Sequence, residues 1–260
     1  MKLLSKTFLI GLAFAWDGVG VLSATVDLAN GLVGHWSFDD VNGTTVKDSS
    51  GNDRHGTLVN MDSATDYVDG KVNKAIDLDG SNDYVSIPHS SALDIRRTIS
   101  FSLWVNFNQL PPSVASMIYK GNGVTESSNG RTYSFWAYPD GHLHLTSSDG
   151  TQQSSDTTPG IVSTGSWHHL VALIDRSSGN FKTYSNNVLV SSHGVRTSDT
   201  VSNSQPLRFG KCLEDHNYLN AKLDEVRLYD RILNTDEITH LYSSATTDTD
   251  SDGLTDAEEA

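Results

Sequence analysis

The chain has 260 residues, a formal net charge of −14 at pH 7 and 37% hydrophobic residues. This length suits one large domain or two small ones, and the apolar fraction is sufficient for a core. The acidic charge argues against nucleic acid and anionic membrane surfaces as partners, because both need a basic face.

The first 24 residues have the pattern of a secretory signal peptide. Lys2 and Lys6 precede an apolar run over residues 8–16, and small residues allow cleavage after Ser23 or Ala24. The run is shorter than the about 20 apolar residues that span a bilayer, so we expect no membrane insertion of the mature chain. The pattern predicts a secreted, extracellular or cell-surface protein. The alternative is a buried N-terminal helix.

From residue 31 onward the hydrophobic pattern is that of an all-β chain. In residues 99–107, apolar side chains alternate with three polar residues and Trp104, which is the period of a half-buried strand. Two pairs of similar runs are separated by turn residues and are predicted hairpins, namely residues 131–138 with 142–145 and residues 167–175 with 181–190. The spacing of the runs predicts a two-sheet antiparallel sandwich or jelly roll.

One segment near the C-terminus has a helical pattern. Asn234 suits an N-cap, and Glu237 three residues later can close a capping box. Ile238 and Leu241 then fall on one face, which predicts a short helix over residues 234–242 that packs against the sandwich. Two long polar stretches, residues 108–131 and 147–166, are predicted loops, and residues 243–247 are a predicted linker.

Residues 248–260 match the spacing of an EF-hand calcium loop. They carry six acidic side chains and no basic one, which accounts for six of the net negative charges. The ligand positions of the template, including a backbone carbonyl at its seventh position, fall on Asp248, Asp250, Asp252, Leu254, Asp256 and Glu259. Calcium explains the crowding, because carboxylates that repel one another become ligands around one cation. The alternative is an acidic solubilising tail.

Six segments in order resemble the laminin-G-like, concanavalin A-like jelly-roll domains of secreted bacterial proteins. They are residues 31–40, 46–58, 74–88, 98–107, 166–175 and 223–242. The resemblance implies a domain over residues 25–242 with two antiparallel sheets and a short C-terminal helix. It also implies a calcium site that would use Asp48, Asn52 and Asp224.

The acidic tail resembles a thrombospondin type 3 calcium repeat more than an EF-hand, because no helix pattern directly precedes the loop. Such repeats usually occur in arrays, whereas this sequence contains one. We therefore expect the chain to be a fragment of a larger multidomain protein or the product of a truncated gene. A structural spacer is then one alternative function.

The sequence offers no catalytic constellation, so we expect a non-catalytic protein. Glycoside hydrolases need two carboxylates across the scissile bond, and none of the six glutamates falls in the Glu-x-Asp-x-x-Glu pattern of the β-glucanases of this fold. His168 and His169 are neighbours on a predicted strand, so their side chains point to opposite faces and cannot bind one metal ion together. A glycoside hydrolase or polysaccharide lyase remains an alternative.

Binding is the leading functional hypothesis. Trp136 and Tyr138 share one face of a predicted strand, and His144 follows across the turn. Aromatic rings beside planar polar groups are typical of sugar sites, so these three residues are candidates for carbohydrate binding. The alternative is that they pack in the core. The expected partner is a glycan or an extracellular surface protein bound in adhesion, and the expected cofactor is Ca²⁺.

Overall fold

The computed structural model describes residues 26–122, 130–150, 152–156, 160–213 and 217–246, with the backbone alone described for 152–156. The first strands are β1 (Leu32–Trp36), β2 (Val41–Asn42), β3 (Thr45–Val46), β4 (Gly56–Val59), β5 (Tyr67–Asp69), β6 (Lys74–Asp79), β7 (Tyr84–Ile87), β8 (Thr98–Phe107) and β9 (Ala115–Gly121). The others are β10 (Arg131–Ala137), β11 (Leu143–Ser148), β12 (Gln152–Asp156), β13 (Trp167–Asp175), β14 (Asn180–Ser185), β15 (Val188–Gly194), β16 (Leu207–Phe209) and β17 (Asn220–Tyr229). A 3₁₀ turn (Ser91–Leu93) and helix α1 (Thr235–Ser243) complete the described elements.

The strands form two antiparallel sheets, which confirms the predicted jelly-roll sandwich. Sheet A has the order β15-β14-β13-β8-β17-β6-β5, and β1 also pairs with β17. Sheet B has the order β12-β11-β10-β9-β16-β7-β4-β3-β2. Several neighbouring strands, such as β8 with β13 and β17, and β9 with β16, come from distant parts of the sequence, so residues far apart along the chain share a face.

The core lies between the two sheets and follows from the alternation of apolar side chains. On β8, Ile99, Phe101 and Leu103 point inward, and on β10, Tyr133 and Phe135 do the same. All five are buried in one hydrophobic cluster that spans both sheets. Burial of this apolar surface is the main force that holds the sheets together.

Helix α1 covers part of the outer face of sheet A. Ile238 and Leu241 pack in a second cluster with Val171, Leu173 and Tyr229. Asn234 caps the helix through the predicted capping box with Glu237, which is therefore confirmed. The helix ends one residue later than predicted, and Ala245 is buried against the domain. The first residues of the predicted linker are thus part of the packed structure.

Three segments differ from the sequence-based expectation. Residues 181–190 form two strands and not one, because Asn186 and Asn187 both take left-handed backbone angles (φ of 48° and 65°) and make a tight turn. The two predicted loops contain β9 and β12, which pair with β10 and β11 respectively. The Ser and Gln content of β12 hid its strand character, because it matches that of a loop, whereas two prolines before β9 and glycines after it hid that strand.

Two predicted segments lie outside the described residues, namely the signal peptide over residues 1–24 and the calcium loop over residues 248–260. In the described part of the chain, none of the helices has the length and apolar character required to cross a bilayer.

Candidate functional site

The candidate binding surface is the outer face of sheet B. Alternation along β10 sends Tyr133 and Phe135 into the core and Ser134 and Trp136 to this face. Trp136 lies opposite His144 on β11 in the sheet register. The three predicted ligand-binding residues, Trp136, Tyr138 and His144, are therefore brought together on one face. We call this surface the sheet B face.

Trp136 is the least accessible of the three residues, with only 3% of its surface exposed. Its indole N–H donates a 2.7 Å hydrogen bond to Ser134 Oγ, and its ring packs edge-on against Tyr119 at 5.7 Å between centroids. The Arg131 guanidinium lies 4.8 Å from the ring centroid. Trp136 thus supports the face from below, and its ring is not an open stacking surface.

Tyr138 and His144 are half-buried and lie nearer to solvent. Their ring centroids are 5.6 Å apart, and the His142 ring stacks on Tyr138 at 4.1 Å. His142 Nδ1 lies 2.6 Å from Asp140 Oδ1, which holds the imidazole over the tyrosine. The hairpin turn thus presents a tyrosine, two imidazoles and a carboxylate together, which is the mixture of flat rings and polar groups that binds sugars.

The face continues across the central strands, which the sequence pattern did not predict. Arg208 on β16 pairs in register with Tyr119 on β9 and with Ser86 on β7, and Tyr84 lies two residues before Ser86. Lys211 lies between two rings, 4.9 Å from Tyr84 and 5.0 Å from Tyr218. A charged residue between two core residues in the segment 207–209 is a local signal that could have marked Arg208.

The predicted calcium residues Asp48 and Asn52 belong to one tightly bonded turn. Asp48 accepts backbone N–H groups from His35 (3.0 Å), Ser50 (2.9 Å) and Arg54 (2.9 Å). Burial opposes its ionisation, but these hydrogen bonds outweigh burial and lower the pKa of Asp48. The Asn52 amide donates to the carbonyls of Leu32 and Val33. Both side chains are engaged in fixing the turn against β1.

Asp224 lies at a different place, on β17, and is fully buried. Its Oδ2 accepts the backbone N–H groups of Lys71 (2.8 Å) and Val72 (2.9 Å), whereas its Oδ1 has no hydrogen-bond partner. Burial raises the pKa of Asp224 well above its usual range, and Glu225 and Asp39 add to the rise. In the described ranges no group of three or more His, Cys, Asp or Glu residues is arranged to hold a metal ion.

The orphaned Oδ1 of Asp224 suits a cation or a proton. The oxygens of Asp48, in contrast, already accept three amides, so the Asp48–Asn52–Asp224 set does not fit a calcium ion as a unit. The other predicted metal residues, Asp248 to Glu259, lie outside the described part of the chain.

A polar cavity of about 590 Å³ lies between helix α1 and β17, and His35, Asp39, Glu225, Arg227 and His240 contribute to its wall. Glu225 pairs with Arg227 and lies 3.2 Å from His35 Nε2. Burial opposes ionisation of Glu225, but these two partners outweigh it and lower its pKa to about 2. Burial raises the pKa of Asp39, and the neighbouring Glu225 adds to the rise. The sequence pattern did not predict this network.

A sequence profile described as the Concanavalin A-like lectin/glucanases superfamily (Laminin_G_3) matches residues 79–239. The match covers more than half of the chain and includes β7 to β17 and most of α1. The chain therefore belongs to this family.

Solved structures with the same fold include carbohydrate-binding and enzymatic proteins. Domain 4 of AbnA, a GH43 extracellular arabinanase from Geobacillus stearothermophilus solved with arabinotriose, is 26% identical with a TM-score of 0.60. The alignment covers 81% of this chain and 98% of that domain. The binding domain of Paraclostridial Mosquitocidal Protein 1 is 19% identical (TM-score 0.65), and Trypanosoma rangeli sialidase is 16% identical (TM-score 0.60).

These alignments cover 84% and 85% of this chain respectively. This chain spans 53% of the mosquitocidal binding domain and 34% of the sialidase, so the likeness to those two proteins concerns the fold. A comparison with curated protein sequences finds no match.

Proposed function

We propose that this protein is a non-catalytic carbohydrate-binding module whose ligand lies on the sheet B face. One observation carries the proposal: Tyr138, His142, His144 and Asp140 are gathered at the β10–β11 turn as half-buried rings beside a carboxylate. The 26% identical domain 4 of AbnA, solved with arabinotriose, supports the same ligand class.

The chemistry of the turn suits a sugar ring. The C–H face of a pyranose or furanose packs against the stacked Tyr138–His142 pair, and the hydroxyl groups exchange hydrogen bonds with the imidazole nitrogens and Asp140. Trp136 and Tyr119 beneath them keep the platform rigid, because both are packed edge to face and buried. A rigid platform reduces the entropy that is lost on binding.

The non-catalytic part of the proposal is supported by the state of the cavity carboxylates. Glu225 is held in its ionised form by Arg227 and His35. The described residues that line the cavity with it include two histidines but no tryptophan, tyrosine or phenylalanine on which a sugar could stack. In this proposal, Asp39 and Glu225, which share the cavity, therefore stabilise an internal network of ion pairs and do not act on a substrate.

Calcium, secretion and adhesion to an extracellular surface complete the proposal. The loop spacing of residues 248–259 supports calcium, and the unpartnered Asp224 Oδ1 is a second place where a cation would relieve a buried carboxylate. The basic and apolar pattern of residues 1–24 supports secretion. A spacer role within a larger surface protein is compatible with these features but does not use the Tyr138 turn.

The first experiment is a glycan array with the full chain, run with calcium and with EDTA. We expect binding to one class of glycan, and we expect Tyr138→Ala to weaken that binding about tenfold or more, since ring contacts of this kind dominate small interfaces. Tyr67→Ala is the matched control. Tyr67 is a half-buried tyrosine on β5 of sheet A whose hydroxyl donates to the Asp39 carbonyl.

The same samples test the alternatives. Equal loss in both variants, or binding to no glycan by folded protein, would contradict the carbohydrate proposal. Chromatography of the incubated glycans tests catalysis, and shortened products that disappear in Glu225→Gln would contradict the non-catalytic proposal. Binding that persists in EDTA would place calcium away from the ligand.

A further inference from the structure

Arg208 occupies an unusual place at the centre of sheet B. Its neighbours Leu207 and Phe209 are buried in the core, so Arg208 projects from the opposite side onto the sheet B face. Strand β16 lies between β9 and β7, and Arg208 is therefore flanked by Tyr119 and Ser86. A cation in the middle of a sheet loses hydration and needs compensation from a partner.

The described protein supplies little compensation. Nη2 of Arg208 lies 3.5 Å from Gln205 Oε1, at the limit of a hydrogen bond, and the buried Nη1 has no partner. Burial lowers the pKa of Arg208, opposed by the nearby groups Tyr84, Tyr119 and Cys212. None of these three groups is a carboxylate. The side chain thus carries a half-buried charge without a counter-ion among them.

Other cations lie along the same face and are positioned by aromatic rings. Lys211 lies between Tyr84 and Tyr218, and the Arg131 guanidinium lies over Trp136. Tyr84 lies near both Arg208 and Lys211, because it interacts electrostatically with the Arg208 guanidinium and its ring contacts the Lys211 ammonium. This gathering of cations contrasts with the net charge of −14 for the chain. Cation–π contacts help to fix the positions of these groups.

We propose that the glycan bound on the sheet B face is acidic, and that Arg208 binds its anionic group. The group is a carboxylate of a sugar acid or a sulfate ester, since both match the planar fork of a guanidinium. The anion lies beside Tyr84 and Ser86, which are half-buried as Arg208 is. This inference rests on the proposed carbohydrate-binding function and specifies its ligand class.

The test uses an array of matched oligosaccharides on several backbones, with the full chain. The members of each set differ only at one carbon, which carries a carboxylate, a sulfate ester or a neutral hydroxyl group. We expect the acidic member to bind at least about tenfold tighter than the neutral one, because it adds a charge-assisted hydrogen bond to Arg208. Comparison of the carboxylate with the sulfate identifies which anion is preferred.

Variants at Arg208 assign the preference to this residue. We expect Arg208→Gln to remove the preference while neutral binding changes less than about twofold, and Arg208→Lys to keep part of it. Arg97→Gln is the control, because Arg97 is an exposed arginine that pairs with Asp199. Thermal melting of each variant shows that it is folded. The Lys variant keeps the positive charge, and so provides a folded test if Arg208→Gln is unstable.

The outcomes separate this inference from the broader proposal. Equal binding of acidic and neutral members, or a preference that survives in Arg208→Gln, would overturn the role of Arg208. Neutral glycans that still bind through Tyr138 would in that case leave the carbohydrate proposal intact. Binding to no member of any set would overturn both.

Discussion

His169 is a buried histidine on the outer side of sheet A, where it contacts a serine and two aromatic rings. Its Nε2 lies 2.9 Å from Ser102 Oγ, and its ring packs against Trp104 and Tyr242. Burial lowers the pKa of His169 to about 3, and the nearby Arg227 contributes to the decrease. The imidazole is therefore neutral in the folded state at pH 7, whereas in the unfolded chain it titrates near its ordinary value.

This shift predicts acid sensitivity of the fold. Between about pH 6.5 and 3 the unfolded chain binds a proton at His169 that the folded chain does not, so stability present above pH 6.5 falls as the pH decreases. We expect His169→Phe to reduce the slope of unfolding free energy against pH by up to about 1.4 kcal/mol per pH unit. Urea denaturation from pH 7 to pH 4 measures it. Parallel curves for the two proteins would contradict the assignment.

His168 shows how strand geometry constrains function at the same scale. Its Nε2 accepts the Ser163 N–H on the side opposite His169, as expected for neighbours on one strand. The sequence-based argument that the two residues cannot share one metal ion is thus consistent with their positions.

Helix α1 covers part of one outer face of the sandwich. It buries Ile238 and Leu241 against sheet A, and Tyr242 stacks on Trp104. Glu237 forms a bidentate ion pair with Arg231 and accepts the Asn234 N–H, so the helix start is tied to the end of β17. This helix occupies part of the sheet A face, and the proposed ligand lies on sheet B.

The N-cap of α1 should contribute measurably to stability. Asn234 Oδ1 accepts the N–H groups of Asp236 and Glu237, so Asn234→Ala should lower the free energy of unfolding by about 1 kcal/mol. Asn234→Asp retains the acceptor and should stay within a few tenths of a kcal/mol of the parent, about the resolution of urea denaturation. A similar stability for the Ala and Asp variants would mean that the cap adds nothing.

At the scale of the whole molecule, negative charge is concentrated at the C-terminal end of the sequence. Six of the fourteen net negative charges belong to residues 248–260. Within the described residues, which end at 246, the core clusters extend to Ala245. We predict from the sequence pattern that the domain and the calcium loop are separable units.

Removal of residues 248–260 should leave the melting temperature of the domain in EDTA unchanged and remove one class of calcium site. Isothermal titration with calcium measures the stoichiometry of the full and shortened chains. Glu259→Gln should weaken the same site about tenfold or more, because it removes the bidentate ligand of the template.

Glu258→Gln is the matched control, since it removes the same charge one residue away from the template position. Equal effects of the two substitutions would indicate a general effect of acidity. Unchanged stoichiometry after the deletion would contradict the loop assignment.

Local signals in the sequence determined the strands, the two-sheet class and the capped helix, because alternation and capping act over a few residues. The Asn186-Asn187 turn was also a local signal, but its flanking residues resemble one continuous strand. Strand β12 was missed because its polar side chains can pair in a sheet as well as line a loop, and β9 was missed because prolines and glycines flank its apolar residues.

Only the tertiary structure decided which residues form the candidate site. Arg208, Tyr119 and Tyr84 come from three distant segments and meet because β16 inserts between β9 and β7. The sequence placed Trp136, Tyr138 and His144 on one face, but packing decided that Trp136 is buried and Tyr138 is not. Side-chain periodicity is a local property of the sequence. The order of the strands, and the segments that pack over each sheet face, depend instead on the whole chain.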